Sequence, residues 1–587
     1  MRRIGKKGSR KWFWLGGILV LAAAFFGLRT YLTIKPADYP VNYDKTWNEG
    51  ELKHILPTAN HERFLIKTSF KAPLQTAPRL EVNGQKTVEG VMTDTEGRFW
   101  MFDVPGLSPD TDYELRIKSQ DGKPLCESWP LKTFPDPDAK PEHVRLLIYT
   151  CLGGHDVHRE WFKTGPQPLS IRHRLLNKAL SFDPDAVIST GDQIYYDLTY
   201  DKAAKVMGDS PRSRYHVGEF DQDKPVLGTR NEPVLKRAAD PQIACLYGTA
   251  CRSSPTFFLL DDHDYFENDT AMKSDGFDIR LLLLAWRSPF TKGGISFPPN
   301  DFMLDAGRSV QKLYLPEFLP APGQPRNLPG THGADAGTDI GLKDQYRPSV
   351  AYDKARAPGV SECYGTLRYG KLLEALLYEN RRYTTLTGPD AVMIHPEAEK
   401  WLIDRMKTEE TRHVLNLPAT VFGWSAGKWM EWYPDISGAD GNLTTDIEKF
   451  KWQSGWFAQH NRLLAAASAM EHSPPLFICG DLHNQSEGGI KQSADLDLSE
   501  NPVVSICSGS LGTGPRMWPS AFRGMKAEPP NAVEMNEKLS PLEKNGFVIV
   551  DVYPEKITVK FYAWRQPEPV TAIDDLKPHH KVAIKRR

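Results

Sequence analysis

Between residues 50 and 137 apolar and polar positions alternate with a period of two. The stretches 63–70, 79–82, 98–104 and 113–117 each place apolar side chains on one face and polar ones on the other, as half-buried strands do. Asn83-Gly84 and Asp121-Gly122, which tolerate positive φ, mark turns between them. The pattern predicts a small all-β unit, followed by a linker at Pro135, Pro137 and Pro141. Beyond it the period changes. Residues 144–149 form an unbroken apolar run, Ile171, Leu175, Leu176, Ala179 and Leu180 recur at helical spacing, and 186–188 are apolar again. Strand, helix, strand implies a right-handed βαβ unit with two parallel strands. Two further apolar strands are expected at 257–260 and 476–479, the second after a helical stretch over about 461–470. Segments at about 200–250 and 290–360, rich in Pro, Gly and charge, read as surface insertions, and there is no internal repeat.

At 587 residues the chain is long enough for two or more domains. Lys and Arg together number 73 against 74 for Asp and Glu, so there is no basic excess to attract nucleic acid. The Trp and Tyr content reads mainly as filling for a large core. Seven cysteines contain no C-x-x-C pair, which argues against a zinc ribbon or a thioredoxin motif. Cys245 and Cys251 are spaced either for a disulfide in an oxidising compartment or to remain thiols. At the N-terminus, Arg2, Arg3, Lys6, Lys7, Arg10 and Lys11 precede an apolar run over 12–28. A basic flank before such a run predicts that residues 1–35 are a signal-anchor or a signal peptide, with the rest of the chain outside the cytoplasm. Tyr31 to Ile34 would lengthen a spanning helix, whereas Ala22-Ala23-Ala24 would suit a signal peptidase; the surroundings of Arg2-Arg3 fit a twin-arginine signal poorly. The basic end from His579 to Arg587 reads as a frayed tail, or less readily as a contact with anionic lipid.

Each of the four apolar strands runs straight into residues with metal-ligating chemistry: Thr150-Cys151, Gly191-Asp192-Gln193-Ile194-Tyr195, Asp261-Asp262-His263-Asp264 and Gly480-Asp481-Leu482-His483. In an open α/β sheet, residues at the carboxyl ends of strands converge however far apart they lie in sequence. Gly191 and Gly480 permit a sharp turn that brings the next Asp close to an ion. Gly-Asp after a strand is common as a simple turn, and a lone Cys there is usually a small buried hydrophobe. Three carboxylates around one imidazole are harder to dismiss, because they repel one another unless a cation or solvent intervenes.

The combination resembles the calcineurin-like metallophosphoesterase superfamily, and within it the PhoD-like (alkaline phosphatase D) family. The resemblance covers about 50–565 and rests on the four motifs together with Tyr265 and Asn268-Asp269. Weaker echoes are 364–382 and Trp456 with Arg462. It implies an α/β fold in which a two-sheet αββα catalytic domain, at about 141–570, follows a fibronectin/Ig-like β-sandwich at 50–137. Within that sandwich, the run from Leu107 to Tyr113 resembles a tyrosine corner, where a Tyr hydroxyl ties down the turn before a strand.

The resemblance also implies roles. Cys151 and Tyr195 would bind a ferric ion, Asp192 would bridge it to calcium or another divalent ion, and Asp262, Asp481 and His483 would complete the ligands, while His263 would bind or protonate the substrate. Thiolate and phenolate suit Fe3+, and carboxylates suit Ca2+. The implied activity is hydrolysis of phosphate mono- or diesters outside the cytoplasm by a hydroxide bridging the two ions. A phospholipase D-like or cell-wall phosphodiesterase is the alternative within that chemistry. An inactive phosphoesterase fold serving as a surface binding protein is the alternative outside it. The chain departs from the family at Gly153 and Gly154, at Tyr378-Glu379-Asn380-Arg381, and in the segment 290–360. Those departures bear on the substrate pocket, whose residues the sequence does not identify.

Overall fold

The computed structural model describes residues 20–22, 46–154, 166–196, 220–221, 224–265, 299, 301–326, 328, 363–428, 431–449, 452–515 and 517–586. It is a mixed α/β protein with several sheets. Two four-stranded sheets make up the N-terminal region. The first runs Leu52–Ala59, Arg63–Phe70, Phe99–Pro105, Val91–Met92. The second runs Lys86–Glu89, Arg79–Val82, Asp112–Lys118, Trp129–Lys132. Leu52, Phe64, Phe102, Leu80, Leu115 and Trp129 from both sheets share one core. Asn83 and Gly84 take the positive φ values that the hairpin after Val82 demands. The Ser108 amide donates to the Tyr113 hydroxyl at 2.7 Å, which ties down the corner before that strand.

In the remaining chain a six-stranded sheet runs Thr256–Leu259, Ala186–Thr190, Val144–Tyr149, Asn545–Tyr553, Lys556–Trp564, His580–Lys585. Its first three strands are parallel, with the helix Leu169–Leu180 in the crossover. An eight-stranded sheet runs Tyr364–Tyr369, Leu373–Tyr378, His413–Pro418, Leu476–Cys479, Val503–Ser508, Gln485–Ser493, Leu496–Asp497, with Val533–Leu542 also paired to Gln485–Ser493. Leu146, Ile148, Ile188 and Val550 of the first sheet join Leu373, Leu415, Ile478 and Ile506 of the second in a single apolar cluster. The opposite face of the first sheet packs on Leu169–Leu180, Asn231–Ala239 and Asp301–Leu313. That of the second packs on Pro396–Lys407 and Ser454–Ser468. Burial on both faces is why these strands read as unbroken apolar runs.

Several expectations change. The stretches read as surface insertions hold buried helices, Asn231–Ala239 and Asp301–Leu313 among them, which send Val234, Leu235, Phe302, Leu304 and Val310 into the core. Some of their charged residues, Lys236 and Glu317 among them, are buried contacts with the N-terminal sheets. Lys236 lies 2.7 Å from both Asp94 and Glu232, and buried Lys67 lies 2.9 Å from Glu317. The basic C-terminus is not frayed: His580–Lys585 is the last strand of the six-stranded sheet, so that sheet continues past residue 570. Cys245 and Cys251 are both buried, and no disulfide joins them. The stretch between them is no open loop but the short helix Ala244–Tyr247 and a turn, and burial raises the Cys251 thiol to about 12. Among the described residues no helix is long and apolar enough to cross a membrane. Apart from 20–22, the apolar N-terminal run lies outside the described residues, and anchoring there gains no support.

His54 joins the N-terminal sheets to the larger α/β region. Fully buried, its Nδ1 lies 2.6 Å from the Ser69 hydroxyl and its Nε2 3.2 Å from the Tyr314 carbonyl. Burial lowers its pKa from 6.5 to about 4, and burial lowers His173 to about 4 as well. The unfolded chain therefore binds more protons than the native one between these values. Stability held above pH 6.5 is lost as pH falls towards 4, by about 3 kcal/mol for His54. Thermal unfolding followed across that window is expected to show a steep acid limb that His54→Gln makes shallower. Parallel limbs in the two proteins would refute this.

Candidate metal centre

The four motifs meet where the two sheets adjoin. Cys151 and Asp192 follow neighbouring parallel strands, and the Cys151 amide donates to the Gly191 carbonyl at 3.1 Å. Asp481 arrives from the second sheet, its amide 3.4 Å from the Thr150 hydroxyl. Neither approach tolerates bulk. A Cβ on Gly480 would fall 2.6 Å from Thr150 Oγ1, and one on Gly191 would fall 2.7 Å from the Asp261 Cβ. Gly191 has φ +122°, whereas Gly480 serves by smallness alone. Gly153, one of the departures from the family pattern, is required because its Cα faces the Gly512 backbone so closely that a Cβ would lie 2.1 Å from the carbonyl.

Four residues with side chains are held in the left-handed region here: Cys151 (52°), Asp192 (59°), Asp481 (73°) and His483 (52°). Such conformations cost about 1–3 kcal/mol each and persist where the surroundings over-determine them. Here the turns aim their side chains at a common point. The Cys151 thiol lies 3.1 Å from Asp192 Oδ2 and the Tyr195 hydroxyl 3.2 Å from the same oxygen, with His483 Nε2 3.4 Å from the Tyr195 hydroxyl. His483 Nδ1 lies 3.0 Å from the Met517 carbonyl, which takes its proton and leaves Nε2 as a ligand atom. Donor atoms of Cys151, Asp192 and His483 lie within 4.8 Å of one another. So do those of Asp192, Asp262 and His263, and those of Asp261, Asp262 and Asp481. Asp192 belongs to the first two groups, as a bridging ligand must. The His263 ring stacks on Tyr195 with centroids 4.0 Å apart.

The donor set fits a pair of cations. Asp192 Oδ1 and Asp481 Oδ2 are buried with no hydrogen-bond partner among the described residues, which is costly unless a cation takes them. Burial, with Asp262 and then other carboxylates adding to it, pushes the Asp192 carboxyl well up; burial and Asp192 do the same to the Cys151 thiol and the Tyr195 phenol. Burial lowers His483 to about 4, so its imidazole is neutral, as ligation requires. Cations bound among thiol, phenol and carboxyl reverse the upward shifts by taking the place of the protons.

A structure of PhoD matches over 93% of this chain and 91% of its own, with a TM-score of 0.52 and 14% identity. The chain has a PhoD-like fold. A purple acid phosphatase, PPD1 from yellow lupin (Lupinus luteus) seeds, matches over 92% of this chain and 75% of its own, with a TM-score of 0.49 and 11% identity. No family model and no curated protein matches the sequence.

Within this PhoD-like fold, four residues near the centre escaped the sequence reading or were misweighted by it. Asp264 is no ligand: its carboxylate accepts the amides of Asp261, Gln193 and Ile194 at 2.8–3.2 Å and so clamps the Asp192 loop to the Asp262 loop. Asp261 pairs with Arg381 Nε at 2.6 Å, both fully buried. Arg381 sits in the segment that departs from the family pattern, and its Nη2 lies 3.9 Å from Asp481 Oδ2. Lys428 places its ammonium 3.4 Å from Asp262 Oδ2 and in short contact with Asp481 Oδ1. No spacing rule marks Lys428, because it lies well beyond the end of the strand His413–Pro418 rather than directly after it. Of the weaker echoes, Trp456 is buried and donates to the Thr385 carbonyl, and Arg462 pairs with Glu399. Both shape the helix Ser454–Ser468 and stand apart from the centre. Asn268 and Asp269 lie outside the described residues.

Proposed function

We propose that the chain is a metal-dependent phosphoesterase of alkaline phosphatase D type, acting outside the cytoplasm. The observation that carries this reading is the shared carboxylate: Asp192 lies within ligating distance of Cys151 and His483 on one side and of Asp262 and His263 on the other. The PhoD-like fold supports it at the level of architecture. On this reading the two sheets of the catalytic region form an αββα sandwich and the N-terminal sheets a fibronectin-like domain. The basic and apolar N-terminal segment supports export or anchoring.

Cys151, Asp192, Tyr195 and His483 would hold the first ion, for which the thiol and phenol favour Fe3+. Asp192, Asp262 and Asp481 would hold the second, for which three carboxylates favour Ca2+. When bound, such ions neutralise a phosphoryl group and make a water molecule more acidic. His263 is placed to pass a proton to the leaving oxygen. Stacking on Tyr195 orients the ring, the His263 amide donates to Asp262 Oδ1 at 3.0 Å, and the residue remains slightly exposed, at 7%. Arg381 and Asp264 position the carboxylates without touching the reacting atoms.

The test is hydrolysis of a chromogenic phosphate monoester and diester by residues 36–587, with and without chelator. Turnover that the chelator abolishes and added iron and calcium restore is expected. The ratio of the two rates distinguishes a phosphatase from a diesterase. Turnover unaffected by the chelator would overturn the reading.

A further inference from the structure

The loop that carries Lys428 is built around a buried carboxylate. Glu431 accepts the amides of Ala426 and Lys428 at 3.1 and 3.3 Å and the Ser425 hydroxyl in a short contact. Ser425 also exchanges backbone hydrogen bonds with Glu528 at 2.8 and 2.9 Å. Gly427 takes φ +69°, and a Cβ there would fall 2.3 Å from the Ser437 amide nitrogen. Lys428 is thus delivered from a fixed backbone, and its side chain is only 7% exposed. Its ammonium lies on Asp481 Oδ1 and 3.4 Å from Asp262 Oδ2, and both carboxylates are fully buried.

These are two of the three carboxylates assigned above to the second ion. The ammonium engages one oxygen of each carboxylate and fixes a positive charge beside them, so a divalent ion drawn to the remaining oxygens meets repulsion and a partly neutralised pair of ligands. We propose that Lys428 and the second divalent ion compete for Asp262 and Asp481, so that Lys428 sets the affinity of that position. The first position is served by other contacts: the Cys151 thiol and the Tyr195 hydroxyl meet Asp192, and His483 Nε2 meets Tyr195. Arg381 is placed differently: its Nε pairs with Asp261 at 2.6 Å, and its Nη2 lies 3.9 Å from Asp481 Oδ2, the oxygen that Lys428 does not hold. This rests on the two-ion reading of the centre, and its test separates the two.

Iron-loaded full-length protein is titrated with Ca2+ by calorimetry, for the wild type, Lys428→Met and Lys428→Arg, with iron content and the visible absorption of an iron thiolate recorded in parallel. Lys428→Met is expected to bind Ca2+ at least about tenfold more tightly than the wild type. Lys428→Arg, which keeps the charge, is expected to remain near the wild type. Lys428→Gln gives the same comparison should the methionine variant fold poorly. Equal or weaker Ca2+ affinity in folded, iron-bearing Lys428→Met or Lys428→Gln overturns the competition and leaves the two-ion reading standing. Protein that takes up neither iron nor Ca2+ in any variant overturns both.

Discussion

Replacing Asp192 with alanine is expected to abolish ion binding and hydrolysis together while leaving the fold intact. Asp192 belongs to two of the three donor groups and is assigned to both ions, so its loss takes one ligand from each of them at once. Rate measurements should show a fall of at least ~10⁴-fold in kcat/KM, or about 5.5 kcal/mol of transition-state stabilisation. Elemental analysis should show iron lost in parallel. Stability should not suffer in the ion-stripped state, because Asp192 Oδ1 is buried without a hydrogen-bond partner among the described residues and its carboxyl resists ionisation there. A site kept for chemistry at the expense of stability becomes easier to fold when its central acid is removed. Retention of iron and of the full rate in Asp192→Ala would remove Asp192 from the centre.

The second large effect separates a proton donor from a ligand. His263→Ala is expected to keep both ions and to lose ~10²–10⁴-fold in rate, the usual worth of a positioned acid. The geometry leaves a sharp alternative, since a ring nitrogen of His263 lies within 4.8 Å of donor oxygens of Asp192 and Asp262. Ion content that falls in step with rate would make His263 a ligand, and an unchanged rate would sink both roles.

Much of this centre was legible in the sequence because apolar runs announce strands that are buried on both faces. The runs at 144–149 and 476–479 coincide with Val144–Tyr149 and Leu476–Cys479, and the residue types that follow them carry the chemistry. Leu52–Ala59 was missed for a related reason. All but one of its residues are buried, so it carries no alternation, and it includes His54 as a buried polar contact. Charge misled where partners were remote. Lys236 and Glu317 looked like solvent-facing residues, yet their partners Asp94 and Lys67 lie more than a hundred residues away. The same holds at the centre itself. Arg381 and Lys428 neutralise acids that come from other strands, and no local pattern connects Arg381 with Asp261 or Lys428 with Asp481.

The neighbour of Val144–Tyr149 on its other side has a temporal consequence. Arg145 lies opposite Asp551, so the strand that presents Cys151 is flanked on one side by Ala186–Thr190 and on the other by a strand from the far end of the chain. During synthesis the early half of the centre is made first but has an open sheet edge until residue 553 emerges. Pairing over such a separation is slow and exposes an edge to aggregation. Cys151, a thiol meant for a metal, therefore waits in an incomplete pocket for most of the time the chain takes to be made. Loss of the last three strands, which contain no proposed ligand, would disarm the centre as completely as loss of Asp192.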